Sequence, residues 1–264
     1  MISPTERMIA EVEGAIGWMV FNNPARRNAV SIDMWQAVPA ILDHFERDPA
    51  VRVVVLRGAG DKAFVSGADI SEFEHNRATP EAIAKYDEIG VGAMSRIEAS
   101  SKPTIAMIQG YCMGGGVGVA LSCDLRIAAE DARFGIPAAR LGLGYRWGGV
   151  KKLVDLVGPA FAKEIFYTAR QFTAAEAQGM GLINRAVPRA EIEGFVRSYC
   201  AMIGDNAPLT LAAVKGVVAE FGKPGAEIDK ARCEELVKRC FGSADYIEGR
   251  RAFMEKRKPV FTGR

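Results

Sequence analysis

Ile108-Gln-Gly-Tyr-Cys-Met-Gly-Gly-Gly-Val-Gly-Val-Ala120 is the stretch on which the fold turns. Pro103 leads into a short apolar run, Thr104 to Ile108, which predicts a buried strand. Gly114, Gly115 and Gly116 then strip the side chains from a strand-to-helix junction. Such a junction lets a backbone N–H face a carbonyl oxygen and aims a helix dipole at it. No Gly-Lys-Ser/Thr follows, and no clean GxGxxG stands in a βαβ setting, so nucleotide loops of those kinds are not indicated. Tight packing of a helix on a sheet is the plainer use of such glycines, and Gly118 suits it.

A second loop, Lys62-Ala-Phe-Val-Ser-Gly-Ala-Asp-Ile70, ends a short apolar stretch at Ser66-Gly67 and opens a polar turn at Ala68-Asp69. In isolation it reads as an ordinary strand-to-helix turn. Around these loops the pattern alternates. Ile9 to Phe21 predicts two strands about Glu13-Gly14, and Ser31 an N-cap for a helix to about Arg47, stopped by Asp48-Pro49. Val51 to Leu56 predicts a strand covered on both faces, Glu81 to Glu98 a helix, and Leu125 to Ala128 a further strand. Alternating strands and helices imply βαβ units and a mainly parallel sheet. Beyond Val150 helical segments dominate: 158–169, 173–179, 190–203, 208–220, 227–240 and 243–256, with only Leu182 to Val187 extended. The expected architecture is an α/β core over residues 1–200 and a helical C-terminal part over residues 201–264.

Composition narrows the function classes. The 264 residues are 49% hydrophobic and 25% charged, as in ordinary globular proteins. Thirty-four basic residues against 32 acidic ones give no reason to expect nucleic acid or an acidic membrane as partner. The cysteines Cys112, Cys123, Cys200, Cys233 and Cys240 form no CxxC pair, so neither a disulfide framework nor a zinc site is expected, and reduced thiols in a cytoplasmic setting fit best. Met1 to Ala10 has no apolar core of a secretory signal, and no run of 18 apolar residues predicts a membrane span. With only His44 and His75, a Ser-His-Asp or His-metal mechanism has little to work with, and no metal is expected.

The chain resembles the crotonase, or enoyl-CoA hydratase/isomerase, superfamily. The resemblance is carried by Phe21-Asn-Asn-Pro-Ala-Arg-Arg-Asn-Ala29, Ala63-Phe-Val-Ser-Gly-Ala-Asp69, Gly110-Tyr-Cys-Met-Gly-Gly-Gly116, Cys123-Asp124, Phe134-Gly135, Thr173-Ala-Ala-Glu-Ala177, Gly181-Leu-Ile-Asn184 and Ala207-Pro208. It implies a crotonase-like ββα-spiral core, a C-terminal trimerisation region, and a homotrimer or a hexamer of two trimers. It further implies an acyl-CoA thioester as substrate, with coenzyme A entering as part of that substrate and no separate cofactor. The oxyanion donors it implies are the N–H groups of Ala68 and Gly115. Around the ligand it places Arg26, Arg27, Lys62, Ala63, Phe64, Gly67, Asp69, Ile70 and Gly114, with Lys258 contributing from a neighbouring subunit. Each basic residue taken alone reads more readily as a solvated surface charge.

The sequence departs from the superfamily where hydration chemistry is done. Hydratases use two glutamates whose environments push their pKa values apart. Gly118 and Ala138 stand at those positions here. The aspartates that isomerases and dehalogenases place further along are replaced by Tyr145 and Arg146. Leu141-Gly-Leu-Gly-Tyr145 and the ending Asp245 to Pro259 resemble methylmalonyl-CoA decarboxylases, although those carry histidine where Ala68 stands and glutamate where Gly118 stands. Decarboxylation needs no base: Tyr145 can orient or donate, Arg140 or Arg146 can hold a carboxylate bidentately, and Trp147 can wall the acyl pocket. A packing role for Tyr145 and Trp147 stands beside that reading. Two alternatives remain: an acyl-CoA binder without turnover, and a hydratase with displaced acid–base groups such as Glu72, Glu74, His75, Tyr86 or Glu88.

Overall fold

Strands that are covered on both faces need apolar side chains pointing both ways, and segments 16–21, 53–56, 104–108 and 125–129 supply them. The computed structural model describes residues 2–72 and 78–264. Its larger sheet orders β1 (Ile2–Thr5), β2 (Met8–Glu13), β3 (Ile16–Phe21), β4 (Val53–Gly58), β6 (Thr104–Ile108), β8 (Leu125–Ala129) and β11 (Arg185–Val187). The first two pairings are antiparallel and the rest parallel. The smaller sheet orders β10 (Phe172–Thr173), β9 (Arg133–Gly135), β7 (Tyr111–Met113) and β5 (Ala63–Val65). Each turn of the chain lays one strand in the large sheet, one in the small sheet, then a helix. β4 and β5 precede α2 (Pro80–Glu98), β6 and β7 precede α3 (Gly115–Leu121), and β8 and β9 precede α4 (Trp147–Thr168).

The large sheet separates two apolar clusters. On one face Met19, Phe21, Val54, Leu56, Ala106, Ile108 and Ala128 pack with the small sheet and with Met34, Val38, Ile41 and Phe45 of α1 (Ile32–Arg47). On the other, Trp18, Val53, Val55, Ile105, Met107 and Ile127 pack against Ile192, Val196 and Cys200 of α6 (Ile192–Gly204). Alternate residues of one strand therefore serve opposite cores, although the strands read as continuous apolar runs. After α5 (Ala174–Gly179) and β11, helices α7 (Pro208–Phe221), α8 (Lys230–Phe241) and α9 (Ala244–Glu255) complete the chain. Helix α6 runs across residue 201, where the helical part was expected to begin.

Several elements differ from the expectation in instructive ways. The strands of the small sheet are two or three residues long, too short for any periodicity to register. Helix α4 begins at Trp147 rather than Gly158, but Gly158 interrupts it with φ 77° and ψ 164°, so the expected helix is its second half. Ser31 does flank α1, yet its hydroxyl bonds Asp33, and the Ile32 N–H is taken by the Glu72 carboxylate at 3.0 Å.

Gly116 packs α3 directly on β5: a Cβ there would lie 2.1 Å from the Val65 carbonyl oxygen. Gly116→Ala is expected to cost about 1–3 kcal/mol, the range of forced overpacking, whereas Gly194→Ala in α6, with nothing within 4 Å of its Cβ, should stabilise by about 0.5–1 kcal/mol. Urea unfolding of both variants checks the opposite signs.

Candidate active site

The two glycine loops meet. Val30 forms an isolated parallel bridge with Ala68: its N–H donates to Gly67 O at 2.8 Å and its carbonyl accepts from the Asp69 N–H at 2.9 Å. A parallel bridge bonds the residues on either side of the bridged one, which leaves the Ala68 N–H facing away from Val30. Opposite it, Gly114 N–H is held by Gly135 O at 2.8 Å, and Gly115 opens α3. The first amides of a helix have no partner within it. Gly67 and Gly114 take φ of 114° and 50°, conformations that only glycine enters without strain. The approach is close: a Cβ on Gly115 would lie 3.7 Å from Ala68 N, and one on Gly67 would lie 3.9 Å from Gly115 N. Among the described residues neither the Ala68 nor the Gly115 amide has a protein acceptor.

Charged side chains fasten this corner. Asp69 is buried and receives Arg26 at 2.7 Å, the Ser71 hydroxyl at 2.7 Å and the Ser71 N–H at 3.1 Å. Burial raises its carboxyl, but the bonds from Ser71 and Arg26 outweigh that and hold it below its ordinary range. Asn28, fully buried at φ 57°, donates to Ala59 O and Ala63 O and accepts from Asn23 N–H, fixing the turn that carries Arg26 and Arg27. Arg26 is thus engaged with the loop. Ala63 and Phe64 lie buried in β5, and Ile70 is exposed. Arg27 and Lys62 are exposed side by side on a separate cavity.

Apolar groups stand around Gly118 and at Ala138. A Cβ at Gly118 would meet Met94 Sδ at 3.0 Å, so Met94 of α2 occupies the space beside α3. Ala138 is buried in the turn after β9. Tyr145 packs edge-on against Phe166, with ring centroids 4.9 Å apart, and burial pushes its hydroxyl up to about 12. That hydroxyl has no partner among the described residues. Arg146 is tied to Asp87 of α2 at 2.8 Å, while Arg140 is exposed and has no ion-pair partner among the described residues. Trp147, 81% exposed, stands at the start of α4 with Leu141 and Leu143 exposed beside it in sequence.

The remaining candidates fall elsewhere. Glu72 caps α1, Tyr86 is buried with its hydroxyl 3.4 Å from the Trp35 ring nitrogen, and Glu88 is exposed. Glu74 and His75 lie outside the described residues. Lys258 pairs with Asp205 at 2.6 Å. All five cysteines are free thiols, no group of three metal-ligating side chains occurs among the described residues, and none of the described helices is long and apolar enough to cross a membrane. Met94 is the site neighbour that sequence reading missed. Its contact with Gly118 joins two helices distant in sequence, and nothing in the local pattern of α2 distinguishes it from other core-facing positions.

Comparison with known proteins identifies the family. The model of the family described as enoyl-CoA hydratase/isomerase matches residues 11–264. A crotonyl-CoA hydratase of Syntrophomonas wolfei is 36% identical over 258 residues, covering 97% of this chain and 98% of that protein. A short-chain-enoyl-CoA hydratase of Clostridium acetobutylicum is 34% identical over 251 residues, 95% of each chain. The crystal structure of an enoyl-CoA hydratase/carnitine racemase from Magnetospirillum magneticum superposes with a TM-score of 0.94 at 35% identity, covering 98% of this chain and 97% of that one. This chain belongs to the enoyl-CoA hydratase/isomerase family of the crotonase superfamily.

Proposed function

We propose that the protein binds an acyl-CoA thioester and stabilises its enolate with the Ala68 and Gly115 amides, as a lyase that does not work through a glutamate pair. The observation that supports this most is the convergence of two unclaimed backbone donors beside a wall where Met94 stands in place of a carboxylate. Charge that develops on the thioester oxygen is met by donors already aimed at it, each typically worth about 3–4 kcal/mol of barrier.

Within that class we favour decarboxylation. The bond from Cα to the carboxylate carbon breaks, its electron pair passes into the enolate, carbon dioxide leaves, and a proton is delivered to Cα. No base is needed. Tyr145, protonated at neutral pH and without a protein partner among the described residues, suits the donor role. Arg140 is the guanidinium left free to hold the departing carboxylate, since Arg146 is engaged by Asp87. The hydratase names of the relatives favour a second reading, water addition by acid–base groups displaced from the usual positions.

Mass spectrometry after incubation with methylmalonyl-CoA and crotonyl-CoA separates the two. Loss of carbon dioxide from the first is expected; gain of water on the second would overturn the preference. A folded Gly118→Glu/Ala138→Glu/Met94→Ala variant should hydrate crotonyl-CoA, and if it does not, more than two carboxylates separates this site from a hydratase. Tyr145 also carries a pH signature. With its pKa raised from 10 to about 12, its contribution to stability is complete below pH 10 and lost as pH rises toward 12. Tyr145→Phe should remove that alkaline slope from urea unfolding while lowering the rate of decarboxylation.

Residues 201–264 are proposed to pack subunits into a trimer or a hexamer of two trimers, in a cytoplasmic setting. An apolar groove of about 1010 Å³ runs along α7, α8 and α9, with Val218, Phe241 and Phe253 exposed on it, and contiguous apolar surface of that kind marks contact sites. Light scattering should give three or six copies, and Phe253→Asp should lower the number; a wild-type monomer at micromolar concentration would refute the assignment.

A further inference from the structure

Helix α2 turns a stripe of three side chains toward α3 and α4. Asp87, Met94 and Glu98 stand at i, i+7 and i+11, spacings that share one helical face. Asp87 holds Arg146, just before α4, at 2.8 Å. Glu98 accepts the Ser122 hydroxyl at the end of α3 at 2.8 Å and pairs with Lys152 of α4. Between these polar fastenings lies Met94, half-buried against the larger apolar cluster. Its sulfur is the nearest atom to the place a Cβ would take on Gly118, at 3.0 Å. The opposite side of α2 is fastened as well: Arg96 reaches Asp43 at 2.7 Å and also pairs with Glu46, both on α1.

Gly118 and the Gly115 amide belong to the same turn of α3. Their separation along the helix axis is about 4.5 Å, which is the reach of an acyl group of about four carbons. A thioester carbonyl held by the Ala68 and Gly115 amides therefore has Met94 about one helical turn away. Gly118 has no side chain, so the thioether of Met94 is the group that faces an acyl chain extending along that wall. Helix α2 is tied on two sides, so the wall yields chiefly through the bonds of the Met94 side chain itself. Methionine is adaptable, and the limit it sets is graded rather than abrupt.

We infer that Met94 sets the acyl length of the site and confines it to thioesters of short acyl groups. The inference rests on the acyl-CoA reading above and adds to it the class of acyl group. In an open apolar pocket each further methylene tightens binding about fourfold. Beside Met94 that gain ends where the chain meets the sulfur. Replacing Met94 by alanine removes Cγ, Sδ and Cε, which leaves room for about two methylenes.

Isothermal titration of the full chain with acetyl-, butyryl-, hexanoyl- and octanoyl-CoA is the test, and it needs no turnover. In the wild type, affinity should rise from acetyl to butyryl and then stay level or fall. In Met94→Ala, hexanoyl-CoA should bind roughly tenfold more tightly than butyryl-CoA. Met94→Leu, of similar volume, should keep the wild-type profile. Met94→Val should fall between, and it serves if the alanine variant does not fold. Taking the hexanoyl-to-butyryl ratio cancels any loss of affinity that a loosened fold imposes on all thioesters alike. Two failures read differently. If no thioester binds the wild type, the acyl-CoA reading falls and the limit falls with it. If thioesters bind but affinity climbs through octanoyl-CoA in the wild type, or the ratio is the same in the wild type and the folded variants, the limit is overturned and the acyl-CoA reading stands.

Discussion

The two-bond bridge between Val30 and Ala68 is the constraint on which the site depends. It spends the carbonyl of Gly67 and the amide of Asp69 on Val30, and so forces the amide between them to the other side. Everything nearby serves that register. Asn28 locks the turn leading to Val30, Asp69 is gripped by Ser71 and Arg26, and glycine at position 67 allows the chain to reverse. On the opposing side, Gly116 lets α3 lie directly on β5, which sets how near Gly115 comes to Ala68. The catalytic proposal therefore rests on main-chain packing, with side chains as its braces.

Much of this was legible in the sequence, for identifiable reasons. The parallel strands of the large sheet announce themselves because they need apolar side chains toward both cores, as Val53 to Leu56 and Thr104 to Ile108 do. The glycines at 114–116 mark their junction because Gly114 takes φ 50° and a Cβ at Gly116 would lie 2.1 Å from the Val65 carbonyl oxygen. Apart from the short apolar stretch before Ser66, the small sheet left no mark: its strands are two to three residues long and are specified by pairing with distant neighbours, such as Cys112 with Phe134, rather than by local preference. The first half of α4 was hidden by Gly148 and Gly149, poor helix formers that start a helix only because tertiary contacts hold Leu153 and Val157 in the core. At the candidate site, Gly118 and Ala138 were legible in the sequence as positions without a carboxylate, but only the fold showed that Met94 packs beside Gly118.

That filling has chemical meaning. The Met94 thioether beside Gly118 makes that wall polarisable and apolar rather than titratable. On the decarboxylation we propose, an anionic acyl group approaching such a wall meets no like charge from Met94. Of the polar groups nearby in sequence, Tyr145 is kept protonated by burial.

The Ala68 and Gly115 donors also have a genetic consequence. A glutamate is lost by one codon change, and with it one proton-transfer step. A peptide amide cannot be lost that way: any residue other than proline at position 68 still presents an N–H, and only a change that breaks the surrounding fold removes it. A lineage can therefore shed and replace its reactive side chains while the amides we propose as oxyanion donors persist beneath them. The fold carries one half of the chemistry as architecture and leaves the other half open to mutation.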